Sequence, residues 1–335
     1  MFRLRYLQTD AMISVIIPYY NPDNDSTLRH LLRRAISSVA PATGDIETIQ
    51  VLVVDDGSPV PPHDVIRDFN DSRISLVEIA HAGLGAARNG GIAKADGDII
   101  AFLDADDYYF PDILGQCVTE MRRADADLFS FNMEICTGET MPQVQGSRIR
   151  VSAPVAGNSY MSGHTPFGSC CRFLIRKELL TRNSLRFAEN TYMEDEDFTP
   201  RLLFFSKRYV QSDATAYAYC RRNGSITTSP LYDKRATDTV NVIRRLIEFR
   251  KTHSFECCDG IDRKIRCLAM DHIRQTLRRP DWQDALAGQT ATLAAIGLWP
   301  LKYASYGIKY RMFVLLSKCN IGIRLLQINE RRYTR

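Results

Sequence analysis

The fold is decided by one stretch, Ile99-Ile100-Ala101-Phe102-Leu103-Asp104-Ala105-Asp106-Asp107, in which an apolar run ends abruptly in three acids. The apolar part has the length and character of a buried strand. The acids therefore emerge at its carboxyl end, where open α/β sheets bind ligands. A cluster of carboxylates there favours a bound cation. The alternative is a solvated acidic turn before a helix that starts near Pro111, because helix N-termini also favour Asp.

Apolar runs of the same kind precede this stretch. Ser14-Val15-Ile16-Ile17-Pro18-Tyr19-Tyr20-Asn21 is followed by a helical pattern from Leu28 to Val39. Val51-Leu52-Val53-Val54-Asp55-Asp56-Gly57-Ser58 again ends in acids and a turn. Ile74 to Ile79 predicts a third strand, and a small-residue helix is predicted from Gly83 to about Ala95. Strands that alternate with helices in this way predict a parallel sheet that is buried on both faces.

Five motifs together resemble the family 2 glycosyltransferases, which are inverting nucleotide-diphospho-sugar transferases. The motifs are SVIIPYYN, VLVVDDGS, GLGAARNGGIAKADGD, IIAFLDADD and the later MEDEDF. The resemblance covers residues 12–230 and implies an α/β fold of the GT-A type, a Rossmann-like mixed sheet flanked by helices. Residues 1–11 then form an N-terminal extension, and residues 231–335 form a basic C-terminal helical region.

The resemblance assigns the acids to a nucleotide-sugar donor. The diphosphate leaving group of such a donor gains negative charge as the glycosidic bond breaks, and a divalent cation stabilises that charge. All-oxygen ligation suits Mn²⁺ or Mg²⁺. By resemblance, Asp104 faces the ribose and Asp106 holds the metal. Asp56 is expected to hydrogen-bond the base, with Pro18 and Tyr20 shaping that pocket.

The glycine-bearing stretch Gly83 to Gly91 contributes a cation as well as small residues. Arg88 looks like the positive group near the nucleotide or its phosphates, and the alternative is an ordinary surface arginine on a helix. The glycine spacing is not GxGxxG and follows the third strand, which disfavours a dinucleotide cofactor. We expect the small residues to let the helix lie close to the sheet. Asn89 is expected to brace the loop, and Asp55 to be structural or a turn cap.

A second acidic cluster, Met193-Glu194-Asp195-Glu196-Asp197-Phe198, opens a predicted helix. Acids in a first helical turn are favoured by the helix dipole, so the cluster has a purely structural alternative. The resemblance places the general base at Asp195. An inverting transfer needs one carboxylate to accept the proton of the attacking hydroxyl. Glu194 is a candidate contact for the acceptor.

Paired arginines follow the last predicted strand, in the stretch Tyr217 to Thr227. Related sequences close over the donor diphosphate with a similar stretch, in which an aromatic residue precedes the arginine. Here Cys220 intrudes, which leaves open whether Arg221 or Arg222 points inward. We assign Arg222 to the donor, with a plain surface pair as the alternative. His164 is not assigned, because a lone loop histidine is commonly solvated or locally hydrogen-bonded.

Charge is distributed unevenly along a chain of ordinary globular composition. The 335 residues are 45% hydrophobic and 24% charged. Residues 1–233 hold 23 Lys or Arg against 30 Asp or Glu, a balance of −7. Residues 234–335 hold 20 against 9, a balance of +11. Long helical patterns from Ala236 to Phe249 and from Ile261 to Leu277 begin near this change, which places a boundary near residue 230.

The basic tail, residues 297–335, interleaves cations with aromatic and aliphatic residues. Charges recur too often there for a membrane-spanning helix. We expect an interfacial amphipathic segment that brings the protein to a lipid-linked acceptor. The alternative is a helix packed on the chain's own core or on a dimer partner, so a homodimer stays open. Basic residues interleaved with aromatic residues can also bind nucleic acid, but no other feature of the sequence points to a nucleic-acid partner.

Cysteine usage indicates the compartment. The chain has nine cysteines, an odd number, and its first eleven residues lack the apolar core of a secretory signal. This pattern predicts reduced thiols and a cytoplasmic protein, with association at the inner face of the membrane through the basic tail.

Two functions of different classes follow from these patterns. The first is an enzyme that transfers a sugar, expected to come from a UDP-sugar, to a hydroxyl of a glycan or lipid-linked acceptor in surface polysaccharide synthesis. The second is a non-catalytic nucleotide-sugar-binding protein or partner subunit of a glycan-synthesis complex. Intact acids at Asp104, Asp106 and Asp195 favour the enzyme, since a binding module does not need all three.

Overall fold

The computed structural model describes residues 12–39, 49–137, 149–166, 168–221, 232–253 and 257–332. The chain divides into two compact units. The first comprises the described parts of Met1–Val155, Ser169–Asn190 and Phe205–Ile226. The second comprises those of Ala156–Gly168, Thr191–Phe204 and Thr227–Arg335.

Strands and helices alternate in the first part of the chain, and helices alone make up its last part. The strands are β1 (Ile13–Tyr19), β2 (Ile49–Asp55), β3 (Ile74–Glu78), β4 (Ile99–Phe102), β5 (Tyr108–Tyr109), β6 (Leu128–Thr137), β7 (Phe173–Arg176) and β8 (Tyr209–Arg221). The helices are α1 (Ser26–Ser37), α2 (His63–Phe69), α3 (Leu84–Lys94), α4 (Pro111–Arg123), α5 (Gly157–Gly163), α6 (Lys177–Arg182), α7 (Glu194–Phe205), α8 (Tyr232–Thr252), α9 (Asp259–Arg278), α10 (Trp282–Ala295), α11 (Ile308–Leu316) and α12 (Asn320–Arg332).

The first unit is built on one mixed sheet. Within the described residues its strand order is β3-β2-β1-β4-β7-β6-β8-β5. The pairs β3–β2, β2–β1 and β1–β4 are parallel. β7 runs antiparallel to both β4 and β6, β8 is parallel to β6, and β5 is antiparallel to β8. The expected mixed α/β sheet with flanking helices is therefore confirmed.

The register brings three strand ends to one edge of the sheet. Every residue of β1 and β4 is buried, as expected for apolar strands that are covered on both faces. Tyr19 at the end of β1 pairs with Asp55 at the end of β2. On the other side of β1, Ile16 pairs with Phe102 of β4. Because strand order reverses on either side of β1, this edge is the switch point where open α/β sheets bind ligands.

Local capping shifts two predicted boundaries. α1 begins at Ser26 rather than Leu28, because the Asp25 side chain accepts a hydrogen bond of 2.7 Å from the Thr27 N–H. α3 begins at Leu84, directly after Gly83, whose φ of +86° suits glycine. β4 ends at Phe102, although the Leu103 N–H still donates to the Ile16 carbonyl at 3.0 Å.

Small residues hold α3 close to its neighbours, as the sequence predicts. A Cβ placed on Gly91 would lie 2.3 Å from Cγ2 of Ile16 in β1. One placed on Gly85 would lie 2.1 Å from the carbonyl oxygen of Ala188. Neither separation is possible between real atoms, so these two glycines permit the close packing of the helix.

The second unit is helical. Its two long helices, α8 and α9, extend beyond the predicted limits at both ends. The unit also contains the short helix α5, which the sequence did not predict. Glycines allow α5 to pack tightly, since a Cβ on Gly157 would lie 2.3 Å from the Leu203 carbonyl oxygen. Such long-range packing leaves little trace in local sequence.

Among the helices within the described ranges, none combines the length and apolar content needed to cross a lipid bilayer.

We predict that Gly91→Ala lowers the free energy of unfolding by about 1–3 kcal/mol, because the added methyl forces apart α3 and Ile16. The adjacent Gly90→Ala is the matched control. A Cβ there would meet Ile79 and Val54 at 3.5 and 3.6 Å, which is ordinary contact. It should stabilise by up to about 1 kcal/mol through helix propensity. Urea denaturation measures both, and equal effects of the two substitutions would contradict the packing argument.

Candidate functional site

Tyr20, directly after β1, presents an aromatic surface at the edge of the sheet where β1, β2 and β4 end. Its side chain is 41% exposed, and its ring stacks on the imidazole of His81 with centroids 4.3 Å apart. Pro18 is buried within β1, beyond the last residue of that strand that pairs with β4. No sequence pattern singles out His81, because a lone histidine in a loop belongs to no recognisable motif.

Asp56, the first residue after β2, organises the neighbouring loop. Its two carboxylate oxygens accept hydrogen bonds from the N–H groups of Ala82 and Gly83, at 2.8 and 2.9 Å. The His81 Nδ1 lies 2.8 Å from Asp56 Oδ2, and the Asp56 side chain is only 4% exposed. The carboxylate therefore fixes the entry to α3, and its predicted bond to a nucleotide base stays a prediction.

Asp55 is structural, as expected. Its carboxylate accepts hydrogen bonds from the hydroxyl of Ser58 at 2.5 Å and from the N–H of Ser58 at 3.1 Å. Burial raises the pKa of Asp55, and the two bonds to Ser58 oppose that effect. The pair closes the turn that follows β2.

Arg88 is buried and pairs with the first acid after β4. Only 1% of its side chain is exposed, so it is not the surface arginine of the alternative interpretation. Its Nη2 lies 2.9 Å from Oδ1 of Asp104. The guanidinium carbon lies 6.0 Å from the ring centroid of Phe102 and 5.3 Å from that of Phe187. The two rings fix the position of the cation, and the cation in turn orients Asp104.

The third acid of the turn, Asp107, has a different role from the other two. It is buried, its Oδ2 accepts from the Tyr217 hydroxyl at 2.6 Å, and its Oδ1 accepts from the Cys220 N–H at 2.7 Å. Burial, followed by the charges of Asp104 and Asp106, raises the pKa of Asp107 to about 8. Asp107 therefore anchors the turn to β8.

Tyr217 connects the two ends of this turn. Its hydroxyl donates to Asp107 and accepts from the Asp104 N–H at 3.2 Å. Burial raises the pKa of Tyr217 well above its usual value, so the hydroxyl keeps its proton. The residue lies in the aromatic stretch Tyr217-Ala218-Tyr219 of β8. Its role was missed because strand alternation does not reveal which residue lies under the turn.

Asp106 lies at the apex of the same turn and is half-buried. Its backbone carbonyl accepts a hydrogen bond from the guanidinium of Arg34 in α1. That guanidinium also lies over the ring of Tyr108, 5.2 Å from its centroid. The backbone of the turn is thus held from the helix side as well as by β8.

The donor set of the turn fits a hard divalent cation. Asp104, with 32% of its side chain exposed, and the half-buried Asp106 supply carboxylate oxygens from one turn. Nowhere in the described ranges do three or more His, Cys, Asp or Glu side chains form a group that could hold a metal. Mg²⁺ and Mn²⁺ suit such a sparse set, because they bind through one or two carboxylates, waters and substrate phosphates. Asp104 is already paired with Arg88, and Asp106 stays the predicted ligand.

Asn89 braces the segment opposite α3. Its Oδ1 accepts from the Phe187 N–H at 2.9 Å, and its Nδ2 donates to the Phe187 carbonyl at 3.1 Å. This matches its expected role and keeps the Phe187 ring beside Arg88.

The acidic cluster of α7 belongs to the second unit and is divided by its ion pairs. Asp197 is fully buried, with Arg201 Nη2 at 2.5 Å and Arg245 Nε at 3.4 Å from its Oδ2. Glu196 pairs with Lys264 of α9. Two of the four acids are therefore structural, as the alternative interpretation holds. Asp195 is half-buried and Glu194 is buried.

The backbone before α7 is fixed by α8. The Tyr192 N–H donates to Oδ2 of Asp238 at 3.0 Å, and the Thr239 hydroxyl donates to the sulfur of Met193 at 3.2 Å. Met193 has a φ of +64°, an uncommon conformation for a residue with a side chain. Strained backbone of this kind is found at functional sites more often than elsewhere.

The predicted site residues thus fall into three groups. Pro18, Tyr20, Asp56, Arg88, Asp104 and Asp106 are in the first unit, around the ends of β1, β2 and β4. Glu194 and Asp195 are in the second unit, in the first turn of α7. Arg222 lies outside the described residues, since β8 is described as far as Arg221. His164, which is assigned no role, bonds locally through Nδ1 to the Tyr160 carbonyl at 3.0 Å.

Comparison with known proteins gives consistent matches. The model of the family described as "Glycosyl transferase family 2" matches residues 14–183, half of the chain. The succinoglycan biosynthesis protein ExoW of Rhizobium meliloti is 30% identical over 228 residues, which cover 61% of this chain and 67% of ExoW. WfgD of Escherichia coli, named as a UDP-Glc:alpha-D-GlcNAc-diphosphoundecaprenol beta-1,3-glucosyltransferase, is 32% identical over 133 residues, covering 39% of this chain and 49% of WfgD. Against two further curated relatives the chain spans just under two thirds of their length, 63% and 64%.

A solved structure shares the fold. The crystal structure of S. aureus TarS 1–349 in complex with UDP matches with a TM-score of 0.61 at 18% identity. The match covers 96% of this chain and 89% of that chain.

We predict that Tyr217→Phe lowers the free energy of unfolding by about 1–3 kcal/mol, because it leaves the Asp104 N–H and the Asp107 carboxyl without their shared partner. Tyr303→Phe, at a side chain that is 57% exposed, is the control and should stay within about 0.5 kcal/mol of the parent protein. Guanidinium denaturation measures both. A Tyr217→Phe variant as stable as the control would remove the proposed role of this hydroxyl.

Proposed function

The chain belongs to glycosyl transferase family 2, and on that premise we propose that it transfers a sugar from a UDP-sugar to a hydroxyl of a glycan or lipid-linked saccharide. The observation that carries the proposal is the pairing of the buried Arg88 with Asp104 at the switch-point edge, beside Asp56 and Tyr20. UDP bound by the fold relative TarS supports the donor class. The names of ExoW and WfgD support surface polysaccharide synthesis and a lipid-linked acceptor.

The donor is proposed to bind along the ends of β1, β2 and β4. The exposed Tyr20, whose ring stacks on His81, and Pro18 are proposed to form the wall for the base. Asp56 contributes a carboxylate whose further lone pairs can accept from the base. Asp104 is oriented toward the ribose by Arg88, which also brings a positive charge near the phosphates.

A divalent cation, Mg²⁺ or Mn²⁺, is proposed to be held by Asp106. When bound, it neutralises the charge that develops on the departing diphosphate. Arg34 and Tyr217 bond to the backbone of the turn from both sides. The backbone that carries the Asp106 carboxylate is therefore held in place. Arg222 is proposed to add a second positive charge at the diphosphate.

Asp195 is proposed as the general base. Its carboxylate accepts the proton of the acceptor hydroxyl while that oxygen forms a bond to the anomeric carbon. The bond from the anomeric carbon to the diphosphate breaks on the opposite side, UDP leaves, and the configuration inverts. Because Glu196 and Asp197 are held in ion pairs, they are poorly suited to accept this proton. Glu194 is proposed to contact the acceptor.

We predict that Asp106→Ala reduces Mn²⁺-dependent release of UDP from UDP-glucose, UDP-galactose or UDP-N-acetylglucosamine by at least about a hundredfold. The loss follows from the uncompensated charge on the leaving group. Asp284→Ala, at an exposed acid of α10, is the control and should leave the rate unchanged. Turnover that is the same with Mn²⁺ and with EDTA would contradict the assignment of a metal to Asp106.

We predict that Asp195→Asn lowers kcat by about 10²–10⁴, because the amide cannot accept the acceptor proton. The dissociation constant for UDP, measured by calorimetry with Mn²⁺, should stay within about twofold. Full activity in this variant would refute the role of Asp195. Tight UDP binding by the unmodified protein without turnover of any donor would instead favour a non-catalytic nucleotide-sugar-binding subunit.

A further inference from the structure

The last two helices repeat one sequence pattern. Ile308-x-x-Arg311-Met312-x-x-Leu315 in α11 recurs thirteen positions later as Ile321-x-x-Arg324-Leu325-x-x-Ile328 in α12. The spacing i, i+4, i+7 places the three apolar residues of each helix in one narrow stripe. All six are at least half exposed, from 51% at Ile328 to 75% at Ile321. Large aliphatic side chains are usually buried, so two exposed stripes with the same spacing require an explanation.

The orientation of α12 is fixed by its opposite face. Glu330 is 2% exposed and lies 2.6 Å from the guanidiniums of both Arg274 and Arg278 in α9. Leu326 and Gly322 are buried on the same side, one and two turns earlier. Rotation of the helix to bury its apolar stripe would separate Glu330 from two arginines, at a large cost for a buried charge. The stripe of α12 is therefore kept outward by an ionic contact on the inner face.

α11 is oriented in the same manner by packing. Tyr310, Phe313 and Val314 are buried, and the Tyr310 hydroxyl donates to the Lys302 carbonyl at 2.9 Å. These residues lie across the helix from Ile308, Met312 and Leu315. Both helices thus do pack on the chain's own second unit, as the alternative from the sequence holds, and each still presents an apolar stripe to solvent.

The charge around the stripes has one sign. Residues 297–335 contain eight Lys or Arg and one acid, Glu330. Because Glu330 is buried in its ion pairs with the two arginines of α9, the segment presents no acidic side chain to solvent. Five of its cations are exposed: Lys302, Lys309, Lys318, Arg324 and Arg331.

We infer that α11 and α12 form a membrane-docking surface that places the two apolar stripes against a bilayer with anionic headgroups. Aliphatic side chains enter the boundary between headgroups and acyl chains, while neighbouring Lys and Arg bind lipid phosphates. A second copy of this chain fits less well. In a two-fold contact the same cationic rims would face each other, and no exposed acid of the segment is present to neutralise them.

The test is co-sedimentation of the full-length protein with vesicles of phosphatidylcholine alone or with about a third of phosphatidylglycerol. We expect binding to the anionic vesicles that weakens between about 0.05 M and about 0.5 M NaCl. Ile321→Asn with Leu325→Asn should reduce the partition coefficient at least about tenfold. Lys309→Gln with Arg324→Gln should reduce it by about fivefold for each charge.

Matched controls separate this surface from general stickiness. Val60→Asn with Ile135→Asn replaces two aliphatic side chains of the first unit that are 44% and 54% exposed, and Lys207→Gln replaces an exposed lysine there. These variants should bind vesicles like the parent protein, and unfolding midpoints by circular dichroism should show that all variants fold.

Three results would each overturn the inference. One is a parent protein that does not bind anionic vesicles, or binds neutral ones equally well. Another is vesicle binding that survives the Ile321→Asn, Leu325→Asn double change. A third is a parent protein that is dimeric by sedimentation velocity and becomes monomeric in that variant, which would assign the stripes to a second copy. None of these measurements uses donor turnover, so the inference stands or falls separately from the proposed reaction.

Discussion

A guanidinium buried against two phenyl rings is the constraint on which the candidate donor site depends. Removing Arg88 from water is costly unless a carboxylate compensates, and Asp104 is that carboxylate. The pair links α3 to the turn after β4, while the close contact of Gly91 with Ile16 sets how near α3 can lie to the sheet. Asp56 then fixes the start of α3 through the N–H groups of Ala82 and Gly83. The edge of the sheet is thus held by charges as well as by its hydrophobic core.

The sequence predicted the parallel half of the sheet well, because apolar runs such as those of β1 and β2 have few alternatives to burial on both faces. It also indicated which strand ends carry acids. The sequence could not show, however, which of these acids has which role. Asp106 and Asp107 are adjacent and identical in type, yet only Asp107 is buried under β8, because Tyr217 approaches from a distant part of the chain. Likewise, α5 packs against α7 and α9, and no local sequence pattern predicts these contacts.

The acidic turn of α7 shows why composition alone misleads. Four consecutive acids predict either a helix start or a catalytic cluster, and the structure assigns two of them, Glu196 and Asp197, to ion pairs. Asp197 and Glu196 are neutralised by basic side chains from α7 itself, α8 and α9. The left-handed Met193 and the bonds from α8 hold the start of this helix, which carries the half-buried Asp195.

The Glu330 contact has a consequence for where this chain tolerates shortening. A C-terminal helix whose outer face is apolar and basic resembles a removable appendage, and trimming it would be a natural choice for a more soluble protein. Removal of α12 would take the Glu330 carboxylate away from the guanidiniums of Arg274 and Arg278 on α9, and Arg274 would keep its ion pair with Asp271. Truncation therefore disturbs the interior of the second unit, whereas point changes on the outer face leave that interior intact.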